Sequence, residues 1–76
     1  MNANEIREHM DVVGADGHLV GSVDGVEGDS IKLTRDGSGQ HHFIPLDWID
    51  YVDEHVHLTK DREVVRQRWQ LAPMTA

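Results

Sequence analysis

The chain has no cysteine, two prolines, one Phe, one Tyr and two Trp, and seven basic residues against fourteen acidic ones. Without a thiol there is no disulfide and no thiolate-held metal, which suits a reducing compartment. No apolar run approaches the ~18 residues of a membrane span. The opening Met1-Asn-Ala-Asn-Glu-Ile-Arg-Glu8 lacks both the basic and the apolar regions of an export leader. The expectation is a cytoplasmic protein without membrane insertion. The shortage of positive charge has a direction too, because residues 1–59 hold twelve acids against Arg7, Lys32 and Arg35. A body this acidic repels phosphate backbones, so nucleic acid is not an expected partner. Residues 60–76 reverse the balance, with Lys60, Arg62, Arg66 and Arg68 against Asp61 and Glu63.

What is present is a rhythm of turns. Asp16-Gly17, Asp24-Gly25, Gly28-Asp29 and Asp36-Gly-Ser-Gly39 are pairs or loops that supply the positive φ of tight hairpins. Between and around them lie short runs suited to strands: Asp11 to Ala15, Leu19 to Asp24, Ser30 to Thr34 and Gln40 to Ile44. In the third run Ile31 and Leu33 alternate with polar residues and face inward. The uneven spacing of Val20, Val23 and Val26 predicts a bulge or bend near Gly21 to Gly25. His42 and Ile44 are expected inside, His41 and Phe43 on the other face. Pro45 ends the strand or puts it at an edge.

A helical turn at Asp47 to Ile49 is expected next, then a strand through Tyr51 and Val52. A turn at Asp53-Glu54 leads into a strand from His55 to Leu58, with Val56 and Leu58 inward and both histidines outward. Thr59 or Asp61 then caps a helix whose Val65 and Trp69, and Val64 and Leu71, define an apolar face, and Pro73 ends it. The expected organisation is a β domain over 1–59, an amphipathic helix over 60–72 and a tail over 73–76. Six or so short antiparallel strands with one helix form a small β-barrel, since closure hides edges that so small a sheet leaves open.

The steps Asp16-Gly17, Val20-Gly21-x-Val23 and Ile44-Pro45 lie within a stretch, residues 6 to 60, that resembles the PRC-barrel superfamily. The likeness is nearest to short single-domain bacterial proteins of unknown function. Relatives serve as docking or assembly modules attached to a membrane anchor or a second domain. The resemblance therefore implies a non-catalytic, protein-binding fold partnered by another protein or a second copy of itself.

Three constellations bear on chemistry. His55-x-His57 sets two imidazoles on one strand face, ~6.5–7 Å apart, with His41 as a third metal ligand and Asp53 or Glu54 as an oxygen donor. Six histidines among carboxylates also fit a pH-responsive protein. His41, Phe43, Trp48, Tyr51 and Trp69 form a candidate binding surface. Two placements stay open for Trp48 and Trp69, on that surface or closing the ends of the barrel. No serine or threonine stands in a nucleophile motif, and Gly37-Ser-Gly39 lacks the lysine and helix of a phosphate loop. No cofactor and no catalysis are expected.

Overall fold

In the computed structural model, which describes residues 5–34 and 39–71, six strands follow one another before a single helix. They are β1 (Asp11–Val13), β2 (Leu19–Glu27), β3 (Ser30–Leu33), β4 (Phe43–Pro45), β5 (Ile49–Val52) and β6 (Val56–Leu58), with α1 at Arg62–Arg68. The turn chemistry explains the hairpins. Gly17 and Gly28 hold φ of 81° and 57° at the β1–β2 and β2–β3 reversals. Asp24-Gly25 makes no turn, contrary to the sequence reading. It lies inside the nine-residue β2, where the register against β3 shifts between Val23 and Gly25. That shift is the expected bulge, and it lets one long strand serve two halves of the sheet.

The strand order is β4-β3-β2-β1-β6-β5. Four of the neighbouring pairs are antiparallel, and β1 with β6 is parallel, Val12 opposite Val56. The expectation of antiparallel strands throughout is therefore corrected. Among the described residues no ladder joins β4 to β5, so the sheet stays open where a closed barrel was expected. A 3₁₀ turn at Leu46–Trp48 carries the chain from one edge to the other. It begins straight after Pro45, which has no N–H for a ladder, and Leu46 N–H bonds to the Asp29 carbonyl at 2.8 Å.

The core is built from Val12, Val20, Val23, Ile31, Leu33, Ile44, Ile49, Val56 and Leu58, with Val65 from the helix. Ile31, Ile44, Val56 and Val65 are fully excluded from solvent, each contributing roughly 1.5–3 kcal/mol of transfer free energy. Helix α1 is seven residues long, shorter than expected, and Trp69 beyond it is already extended. Val65 and Trp69 form its inner stripe, whereas Val64 and Leu71 are exposed, so the second apolar pair does not pack. Pro73 and most of the Asp36–Gly39 loop lie outside the described residues.

A helix this short does not stand alone, and two contacts seat its start. Ala15 N–H donates to the Lys60 carbonyl at 2.9 Å. Asp61 occupies the cap position without a side-chain bond. Its capping role passes to Asp16 of the first hairpin, whose Oδ1 accepts from the backbone N–H of His18 at 3.2 Å and of Arg62 at 3.4 Å.

Candidate functional site

Strand β5 is the outer strand of one half of the sheet, and the tight Asp53-Glu54 reversal sets β6 beside it. Asp53 organises that reversal. Its Oδ1 accepts from His55 N–H at 2.8 Å and lies 2.8 Å from His57 Nε2. The His57 ring then stacks on Tyr51 across the ladder, centroids 4.1 Å apart and planes 9° from parallel. Tyr51 is 49% exposed, so the stack presents a flat aromatic surface to solvent. His55 stands 6.2 Å from His57, centroid to centroid. Its Nδ1 is shielded and has no hydrogen-bond partner among the described residues.

Beside the stack is an open depression of ≈ 590 Å³ between Asp50 and Tyr51 of β5, His57 and Leu58 of β6 with Thr59 after it, and the Gly14 to Gly17 turn. A second, of ≈ 570 Å³, lies at the other end of β5 between Val52, Asp53, Glu54, Glu5, Arg7 and Met10. The first lining holds the Asp50 carboxylate beside the His57 ring, and the second holds Glu5, Asp53 and Glu54 with Arg7.

The other predicted residues are spread along the sheet. His41 stands by β3, its Nδ1 2.7 Å from the Leu33 carbonyl oxygen. It does not join His55 and His57, and among the described residues no group of three His, Cys, Asp or Glu side chains converges on a metal position. Phe43, expected outward, is buried at 6% exposure. The reason is Gln70, which bridges to Phe43 through two backbone bonds of 2.7 and 2.9 Å and covers that edge. Trp69 packs inward and stacks on His42, with centroids 3.9 Å apart. Trp48 is half-buried against the core with Lys60 Nζ 5.3 Å from its ring. Of the five residues proposed as a binding surface, Tyr51 alone is classed as exposed. Asp50, which is not among the predicted site residues, flanks it, and only the edge position of β5 reveals its place.

Residues 6–66 match the model of a family described as an uncharacterised protein conserved in bacteria (DUF2171). The chain belongs to this family. No curated protein matches it. The family segment takes in all six strands and most of α1, so the Tyr51–His57 stack and both depressions lie mainly within it, whereas Trp69 and Gln70 lie beyond. A short bacterial family was the expectation, and its description assigns no activity.

Two carboxylates are tuned by this architecture. The backbone bond from His55 holds the Asp53 carboxyl below its ordinary pKa against some desolvation, with His57 adding to the effect. At Asp16 desolvation pushes upward, but the backbone bonds from His18 and Arg62 outweigh it and the net shift is downward. A carboxylate whose folded pKa is depressed stabilises the fold above its unfolded pKa, near 4, and that contribution is lost as pH falls through the lower folded value. Urea midpoints measured from pH 6 to pH 2 should therefore fall below about pH 4, and Asp16→Asn should flatten the decline. An unchanged slope in that variant would show that the Arg62 contact does not hold the helix.

Proposed function

We propose that this protein is a non-catalytic binding module, an open-sheeted member of the PRC-barrel-like kind, that docks on another protein or on a second copy through the β5 edge. The observation that carries this reading is the Tyr51–His57 stack on an edge strand that has no outer strand partner among the described residues. The molecule treats its two edges differently: Gln70 closes β4, and nothing among the described residues closes β5. Unprotected strand edges pair with other chains, and a rigid exposed aromatic supplies contact area at low entropic cost. A histidine metal or pH-responsive site is less well supported, because His41 stands apart from His55 and His57.

Tyr51→Ala tests the docking face. The ring is half-exposed, so its loss should cost about 1 kcal/mol of stability or less. Capture of protein from the source bacterium, or self-association measured by sedimentation, should weaken at least about tenfold, as for an interface anchor. Equal behaviour of the variant and the parent chain would remove the docking role from this edge.

A further inference from the structure

Residues Ile49 to Val52 form one ladder, to β6, and among the described residues their one other backbone hydrogen bond is from Ile49 N–H to the Leu46 carbonyl, which closes the 3₁₀ turn. The side chains around this edge carry one sign. Asp47 precedes β5, Asp50 lies within it, and Asp53 and Glu54 follow it, all exposed. Among the opposing charges, Lys60 is held over the Trp48 ring and Arg7 lies in the lining of the second depression.

These charges discriminate between occupants. Two copies paired edge to edge would bring the same acids together, and like charges facing across a ladder are destabilising. The acids thus guard β5 against its own kind while leaving its outer side without a strand partner among the described residues. A strand added to an edge sends alternate side chains to opposite faces. The side chains of one face therefore run along β5 past both depressions, which lie at its two ends: Asp50 is in the wall of the first, and Asp53, Glu54 and Glu5 are in the wall of the second. Tyr51 lies between them, exposed for contact with an apolar residue.

We infer that the β5 edge takes an extended, lysine- or arginine-rich segment of another protein by strand addition, its basic side chains reaching the carboxylates of both depressions. Backbone bonding supplies the affinity, and the acids select the partner. This deepens the docking reading above and rests on it.

The test uses two capped nine-residue peptides, one alternating lysine with valine and one alternating glutamate with valine, added to the isotope-labelled full chain. The lysine peptide should slow amide exchange within residues 49–52 at least tenfold and bind more weakly as salt rises. The glutamate peptide should do neither, and Asp50→Lys should reduce the affinity for the lysine peptide at least about threefold. The inference is overturned if neither peptide binds, if the two bind equally, or if the lysine peptide binds without slowing those amides. It is overturned equally if the chain alone protects β5 by pairing with itself. Such failures leave the docking reading intact wherever Tyr51→Ala still abolishes capture of a protein, and that reading falls only when Tyr51→Ala changes nothing.

Discussion

Trp69→Ala should destabilise the protein by about 2–4 kcal/mol, measured as a lowered urea midpoint at unchanged slope. Three links meet at this residue. Its N–H closes the end of α1 by donating to the Val65 carbonyl at 2.8 Å, its ring covers His42, itself 8% exposed, and the next residue forms the bridge that closes β4. The Arg66 guanidinium lies 5.9 Å from the ring, a contact worth about 0.5–1 kcal/mol at an exposed site. Lost burial therefore sets the size of the effect. A domain of this length has a total stability of roughly 4–11 kcal/mol, so one truncation removes a large share. Exchange at Phe43 and Gln70 should accelerate with it, because the strap is held from the Trp69 side. A midpoint within about 0.5 kcal/mol of the parent, the range of an ordinary surface change, would show that the strap holds without its ring.

The strands were legible where local chemistry fixes them. Ile31 and Leu33, Val56 and Leu58 face inward as their alternation requires, and the turn after Pro45 falls within a residue of its expected place. Pairings between distant strands were not legible. Nothing in the local pattern of Asp11–Val13 states that it lies parallel to Val56–Leu58, since the choice depends on how the whole chain reverses between them. Phe43 failed for a related reason. Period-two reasoning assumes one dry face and one wet face, and β4 has its second side covered by a segment nearly thirty residues away in sequence. At the candidate site Tyr51 and His57 could be named from composition and faces. Asp50 could not, because its meaning comes from β5 standing at an edge, a property of strand order alone.

Gly14→Ala is the second substitution with a large expected effect, and here a single methyl group is enough. A Cβ built at Gly14 would lie 2.5 Å from the Arg62 nitrogen, 2.8 Å from Asp16 Oδ1 and 3.0 Å from the Asp61 carbonyl carbon. Two of these are backbone atoms that cannot swing aside, so the start of α1 must move. That movement strains the Asp16 contact to Arg62 and the Ala15 to Lys60 bond together, and it shifts the turn that carries Val65 into the core. Overpacking of this kind costs about 1–3 kcal/mol. Gly25→Ala is the matched control, since its added carbon meets nothing within 4 Å, and it should stay within about 0.5 kcal/mol of the parent. Amide exchange should then separate the two models of the helix. If α1 is docked through the first hairpin, Gly14→Ala accelerates exchange at Val65 and Trp69, whose amides bond back along the helix, before it affects β3. Acceleration spread evenly over the sheet would instead place Gly14 in the global core, and an unchanged profile would mean that the helix start does not approach the hairpin this closely.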